Sequence, residues 1–549
     1  MLPFRHLVLL ATLAICGLIG NFAKVYAQTA GPEPGQIPTG PYRIAGRVVN
    51  AKGGRPLDRT RVTIMDAKIR QNIQFVITSD DGRFEFHVPA GKFALQGAKR
   101  GFITAAYNQH DQFSTAIVTG AGIDAENLTL RLSPNAVLTG KVLDEFGEPV
   151  RSAQIIVYRE NRFSGISRIS RFRGATTDDQ GKYEVTPLDE GTYFVSAKAT
   201  PWYAVHPASV PEGAANAPVQ VNPALDVSYP ITYYGDTTET DSATPIPVRG
   251  GDRLEADIHL NPAPALHLLF HVAEGGQVAF PQLQRPSFDG MEDVESGNIQ
   301  SVSPGVYELT GIAAGRYMVR MPDSSGQFKE PTAVNLTSSQ ELDSSSGNPT
   351  GKVKVTVEGA GAAAGRPQIQ IGLRNSKGRV ITSEVDAKGE ANFTDIISGK
   401  YDVLAGSQNE VYSVERISWE GGVTLGRVLN VPAGASLSVA VSLVGGSVTV
   451  EGFAKRDGKG VAGAMVVLIP KNPETNHDRF RRDQTDLDGS FSLFNVSPGS
   501  YTVIAIENGW DLDWAKPAVL TSYGRHGQTL IVRVQAKGTL RLAEPVTVK

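Results

Sequence analysis

Thr485-Asp486-Leu487-Asp488-Gly489-Ser490-Phe491-Ser492-Leu493, closing with Gly499-Ser500-Tyr501-Thr502-Val503, is the stretch that decides the fold. A polar turn ending in glycine is a hairpin signal, because glycine adopts the positive φ that reverses the chain. The alternation that follows places Phe491 and Leu493 on one face of a strand. A second glycine makes the next turn, and an aromatic two residues later, expected to be partly buried, anchors the strand after it.

The same stretch recurs along the chain. Thr78-Ser79-Asp80-Asp81-Gly82-Arg83-Phe84-Glu85-Phe86 leads to Gly91-Lys92-Phe93, and Thr177-Asp178-Asp179-Gln180-Gly181-Lys182-Tyr183-Glu184-Val185 leads to Gly191-Thr192-Tyr193. Two weaker copies run from Gly305 through Tyr307 to Gly315 and Tyr317, and from Gly389 through Phe393 to Gly399 and Tyr401. Upstream of each clear copy lies a strand–turn–strand pattern: Gly46-Arg47-Val48 before Val62-Thr63-Ile64, Gly140-Lys141-Val142 before Ile155-Ile156-Val157, and Gly452 before Val466-Val467-Leu468. Together the two patterns give each unit about seven short strands at sandwich-like spacing. The fold expected is all-β, a tandem of antiparallel β-sandwich domains of transthyretin-like or Ig-like type. The units fall at 42–133, 134–263, 264–349, 350–446 and 447–549, with a long insertion in the second and degenerate repeats in the third and fourth. No amphipathic helical stretch of useful length interrupts them, and neighbouring units are expected to share small interfaces.

The pattern Gly-x-Val, Pro, apolar strand, Thr-x-Asp-x-x-Gly-x-Tyr, Pro-Gly-x-Tyr resembles the carboxypeptidase regulatory-like domain, a transthyretin-like sandwich related to the B-type repeats of collagen adhesins. Gly140–Val195 and Gly452–Val503 carry the resemblance best, Gly46–Leu95 carries it well, and the middle units match in part. Tyr229-Pro230-Ile231-Thr232-Tyr233-Tyr234-Gly235 is similar to a stretch of exported multi-domain bacterial proteins that bear such domains. The resemblance implies accessory, adhesive or carbohydrate-binding-like modules. The metallocarboxypeptidases that name the domain keep their zinc site in a separate catalytic domain, and no segment here matches it.

Composition agrees with ordinary globular material: 549 residues, 41% apolar, 20% charged and a formal charge of −3. Nothing in that balance points to the basic surface that nucleic-acid binding needs, and no nucleic-acid partner is expected. Arg5 and His6 precede an apolar run from Leu7 to Gly20, and Val25-Tyr26-Ala27 offers small residues at cleavage-site positions, so residues 1–27 read as a secretory signal and 28–41 as a Gly/Pro-rich linker. An uncleaved anchor is the alternative. The run falls short of the roughly 20 apolar residues of a membrane span, and the mature chain contains none. Cys16, the only cysteine, lies inside this run after Ile15, which is too large for a lipobox. The mature chain therefore has no disulfide, thiolate nucleophile or cysteine-ligated metal.

Candidate chemistry is sparse. His267 and His271 are four apart, the spacing of a helical zinc motif, but the segment follows Pro262 and Pro264, reads as a strand, and lacks a Glu between the two imidazoles. The acidic turns lack the further oxygens of an EF-hand. No Gly-x-Ser-x-Gly or phosphate loop occurs. Arg171-Phe172-Arg173 and Arg479-Phe480-Arg481 occupy equivalent places and read as solvated hairpins whose charge blocks edge pairing, with an anionic-glycan surface as the alternative. Aromatics supply the ligand-binding candidates: Trp202 and Tyr203 in the long insertion, Tyr233 and Tyr234 beyond it, and Trp510 and Trp514 at the matching place in the last unit. Each either stacks on sugar rings or caps its sandwich.

No catalytic residue, cofactor or metal is expected. The reading is a non-enzymatic, extracytoplasmic (periplasmic, cell-surface or secreted) scaffold or adhesion-like protein with carbohydrate binding, its partners polysaccharide or envelope proteins. The alternative is a set of accessory modules for a separate enzyme or outer-membrane complex. Processing is directly testable: N-terminal sequencing of exported protein should begin at Gln28, and a chain retaining Met1 or lipidated at Cys16 would refute the signal reading.

Overall fold

In the computed structural model the described residues are 37–549, apart from 68–72, 164, 208–221, 273–278, 295–298, 360–368, 377, 408–410, 475 and 534–535. The signal, Cys16 and most of the linker lie outside them. The chain is a tandem of β-sandwiches, each with its own buried cluster.

Every unit opens with a strand flanked on both sides. In the first, Tyr42–Asn50 pairs antiparallel with Arg83–Val88 and parallel with Leu128–Leu132. The last repeats this: Val448–Arg456 lies antiparallel to Ser490–Val496 and parallel to Gly538–Arg541 and Val546–Thr547. The opening strands Ala136–Leu143, Leu266–His271 and Gly351–Gly359 are likewise flanked by one antiparallel and at least one parallel neighbour. The sandwiches are thus mainly antiparallel, each closed by a parallel strand that the repeat does not contain.

The facing sheet is built on the second strand of each unit. Arg61–Asp66 sits between Ile73–Ile77 and Gly91–Ala98, and Met465–Pro470 between Arg481–Gln484 and Gly499–Ile506. In the fourth unit Val411–Trp419 pairs with both Gly399–Gly406 and Ser436–Gly445, joining the two layers into one continuous sheet.

The repeat motif explains why these strands meet. Its first glycine has φ +74 (Gly82), +70 (Gly181), +75 (Gly305), +81 (Gly389) and +81 (Gly489). In each case its carbonyl accepts the amide of a residue at the end of, or just beyond, the opening strand: Val48, Val142, Val272, Val357 and Ala454, at 2.7–2.9 Å. A side chain fits neither the dihedral nor the space at the clear copies. A Cβ on Gly489 would lie 2.6 Å from the Gly460 Cα and 2.7 Å from the Ala454 carbonyl oxygen.

The motif threonine is a buried clamp. Thr177 Oγ1 donates to the Val150 carbonyl at 2.7 Å and accepts the Ala153 amide at 2.8 Å. Thr78 does the same with Leu57 and Thr60, and Thr485 with Val461 and Ala464. Each ties the hairpin to the loop between the first two strands. In the second motif the tyrosine hydroxyl donates four residues back, from Tyr193 to Asp189, Tyr317 to Ala313, Tyr401 to Ile397 and Tyr501 to Ser497, at 2.7–3.0 Å. These rings are fully buried, not partly as expected, because the hydroxyl finds its acceptor inside the turn.

One short helix, Pro517–Gly524, follows Trp514, where the sequence showed no helical pattern. Pro517 starts it with a preset φ, and it buries only Leu520. Among the described residues no helix is long and apolar enough to cross a membrane.

Gly458 has φ +78 but open space around its Cβ position, so it isolates the dihedral from the crowding at Gly489. Gly458→Ala should cost about 1 kcal/mol and Gly489→Ala about 1–3 kcal/mol more, from strain and backbone contact. Chemical denaturation of both variants checks this. Equal losses would contradict the crowding at Gly489.

Candidate functional site: aromatic seams between the sandwiches

The polar turn is exposed in the second unit, at Asp178-Asp179-Gln180, but not in the last. There it docks on the loop 107–116 of the first unit. Gln484 Nε2 donates to the Asn108 carbonyl at 2.6 Å and to Thr115 Oγ1 at 2.8 Å, and the Leu487 amide donates to the Ala116 carbonyl at 3.0 Å. Asp486 pairs with Lys92 at 2.5 Å. Burial raises the Asp486 carboxyl while Lys92 pulls it down, and burial pushes its neighbour Asp483 up to about 7. The Leu487 side chain packs against the first unit's core. Leu487 stands where the other clear copies have Asp80 and Asp179, so an apolar residue at a polar turn tip was the sequence signal for this contact.

Trp510 and Trp514 belong to the same seam. Trp510 stacks on His110 of the first unit, centroids 5.0 Å apart and 8° from parallel, while its Nε1 donates to the Gly463 carbonyl at 3.1 Å. Between them sits the Arg482 guanidinium, 4.9 Å from the Phe113 ring centre, 5.6 Å from Trp510 and 5.1 Å from Trp514, with Asp111 at 3.3 Å. A desolvated cation against aromatic faces gains more than an exposed one. Trp514 is 5% exposed and also meets the second unit, where a Cβ on Gly165 would fall 2.6 Å from the indole. The Ala515 amide donates to the Gly165 carbonyl, and Asp513 takes Arg162 and the Ser167 amide. One aromatic cluster therefore fastens the last unit to the first and second. The contacts between units are more extensive than the sequence suggested, because both sides of the seam supply aromatic and charged groups.

Tyr233 is 0% exposed. It packs with Tyr158 of its own unit and edge-on to Phe288 of the third, and its hydroxyl pairs with Ser287. Tyr234 is half-buried against the second core. Tyr233 presents no face for a ligand, whereas Tyr234 is covered only in part.

Trp202 is different. It is 85% exposed and stands edge-on to Tyr203, whose hydroxyl donates to Glu145; the Tyr229 hydroxyl reaches the same carboxylate at 2.9 Å. Burial and the Glu145 carboxylate push the Tyr203 phenol up to about 12. Phe146, adjacent to Glu145, is 80% exposed. Residues 208–221 of this insertion are outside the described residues.

The two basic segments brace their edge strands. Arg173 donates to the Thr186 and Pro187 carbonyls, and Arg481 to the Phe494 and Asn495 carbonyls. Arg481 is half-buried where a solvated side chain was expected, because the facing hairpin offers it unpaired carbonyls.

His267 lies on the strand Leu266–His271, as read. Its Nε2 meets Asp226 at 2.7 Å and its Nδ1 meets the buried Glu308 at 2.9 Å, while His206 shares Asp226 at 2.9 Å. Sequence reasoning missed this cluster, since Asp226 comes from the end of the insertion and Glu308 from the hairpin partner strand. Among the described residues no group of three or more His, Cys, Asp or Glu side chains is placed to hold a metal.

No known family profile matches the chain, and no curated protein does. Similar solved structures include the TIE protein of Bacillus anthracis, at 11% identity over 73% of each chain and a TM-score of 0.17. Others are GBS52, the minor pilin of Streptococcus agalactiae (11% identity, 41% of this chain and 97% of that one, TM-score 0.21), and BcpA, the major pilin subunit of Bacillus cereus (8%, 73% and 99%, 0.13).

Burial opposes protonation of His267, but the hydrogen bonds to Glu308 and Asp226 outweigh it, so its pKa lies above the ordinary histidine value. Because the folded pKa is raised, the cluster's stabilisation is present below the unfolded pKa and lost as pH rises through the folded one. Thermal melts from about pH 5 to about pH 9 should show this loss in the wild type and a flatter profile in His267→Gln. Parallel profiles would contradict the assignment.

Proposed function

We propose that the protein is a non-enzymatic, extracytoplasmic scaffold or adhesion-like protein that binds carbohydrate, built of carboxypeptidase-regulatory-like sandwiches at 42–133, 134–263, 264–349, 350–446 and 447–549. The observation that supports it best is the seam from the last unit to the first two. It fastens three of the modules to one another, which suits a body that holds partners at set spacing. The motif's polar side chains, Thr177 and Tyr193 with their copies, are occupied by backbone groups and hold the sandwiches together.

The exposed Trp202, beside a Tyr203 held by Glu145, offers a flat apolar face to the C–H face of a sugar ring. Pro201 restrains the backbone before it, which lowers the ordering cost of presenting the ring. Polysaccharide and envelope proteins are the partner classes this reading expects.

Glycan-array and pull-down binding of the exported chain, followed by mass analysis of the glycan, tests the proposal. Binding without cleavage is expected, weakened by about 1–3 kcal/mol in Trp202→Ala, taking base–aromatic stacking as an analogue. Melting of that variant should stay within about 0.5 kcal/mol of wild type, as for an exposed site. Turnover of the bound glycan, or binding unchanged by the substitution, would contradict the reading.

A further inference from the structure

A cleft of about 880 Å³ opens where the first, second, fourth and last units meet. Its wall carries the cationic side chains Arg168, Arg374, Lys400, Arg481 and Arg482 against the carboxylates of Asp402 and Glu474. Three of the five are already engaged: Arg374 pairs with Asp402 at 2.6 Å, Arg481 donates to the carbonyls of Asn495 and Asp478, and Arg482 pairs with Asp111 at 3.3 Å. Lys400 and Arg168 are exposed and form no ion pair with the described residues.

Two buried donors on residues that line the cleft have no acceptor. Arg482, its side chain 8% exposed, directs Nη2 at Asp111, but its Nη1 is buried and unpaired. The Nε1 of Trp514 is buried and unpaired beside it. Leaving such groups without partners costs free energy that an incoming acceptor recovers. Burial also lowers the Arg482 pKa, an effect that the Asp111 carboxylate offsets only in part. The Phe113 and Phe480 rings line the same space, as do Phe163 and Phe494, both largely exposed.

The unpaired groups are donors, the net charge of the wall is positive, and the remaining surface is flat and apolar. A matching ligand brings an excess of acceptors, negative charge and flat C–H faces. An acidic oligosaccharide has all three: carboxylates for guanidinium and ammonium groups, hydroxyl and ring oxygens for the indole N–H, and pyranose faces for the rings. An acidic peptide brings a backbone N–H with nearly every carbonyl, and of the wall's two carboxylates Asp402 is already engaged, leaving Glu474 alone to receive one. Inorganic phosphate would leave most of the cleft unfilled.

We infer that this junction is a binding site for a short acidic oligosaccharide of the uronate type, with Arg482 and Trp514 as its inner donors and Lys400 and Arg168 as its outer cations. The site is separate from Trp202, which lines no part of it, so Trp202→Ala leaves cleft binding intact.

Calorimetric titration of the full mature chain with an oligogalacturonate, a neutral oligosaccharide of the same length and an oligoglutamate tests the inference. The oligogalacturonate should bind, more weakly at higher salt, and the neutral sugar should not. The double variant Lys400→Glu, Arg168→Glu changes exposed side chains only and should weaken binding at least about tenfold. Trp514→Phe keeps a ring but removes the N–H, and should weaken binding severalfold. Should that variant fail to fold, the charge-reversed pair still decides. Absence of oligogalacturonate binding, equal affinity in the charge-reversed chain, or tighter binding of oligoglutamate would each overturn the inference.

Discussion

The structure depends on one backbone contact made five times: the carbonyl of a left-handed glycine accepting an amide at the end of the opening strand of its unit. That contact brings the hairpin against the strand that begins the sandwich, and at the clear copies it leaves no room for a side chain. The threonine clamp and the tyrosine hydroxyl then satisfy buried backbone groups on either side of it. Each would cost of order 1–3 kcal/mol if left unpaired. The motif's polar residues are therefore accounted for by the fold, and specialised surfaces arise where units meet or where an insertion leaves an aromatic in water.

Closure of the chain follows from a small departure within the motif. In the last copy Leu487 replaces the acidic turn tip, and the turn buries itself on the first unit. Arg482, on the strand just before it, is then caught between Phe113, Trp510 and Trp514. The same arrangement leaves Arg482 Nη1 and Trp514 Nε1 buried without acceptors on residues that line the junction, so the seam that holds the body together also shapes its cleft.

Much of the fold was legible because the repeat repeats its chemistry: Asp-rich turn, glycine, alternating strand, glycine, aromatic. The parallel closing strands were not. Gln340–Glu341 is two residues long, and Gly538–Arg541 has no alternation strong enough to stand out, since backbone pairing rather than side-chain pattern places them. The aromatics divided for a related reason. Trp202, Trp510 and Trp514 look alike in sequence, but burial of Trp510 depends on His110, some four hundred residues earlier in the chain, and burial of Trp514 on Gly165. Tyr233 was similarly fixed by Phe288 of the next unit. Pairings between units leave no periodic trace in either partner.

The last unit is fastened to the first through Gln484, Asp486 and Leu487. Zero-length carbodiimide coupling of dilute mature protein, read by peptide mass spectrometry, tests it on the Lys92–Asp486 pair at 2.5 Å, with Lys354–Glu390 at 3.0 Å inside the fourth unit as the internal control. An intramolecular Lys92–Asp486 amide is expected in the monomer alongside the control link. The control link forming without it would contradict the closed arrangement.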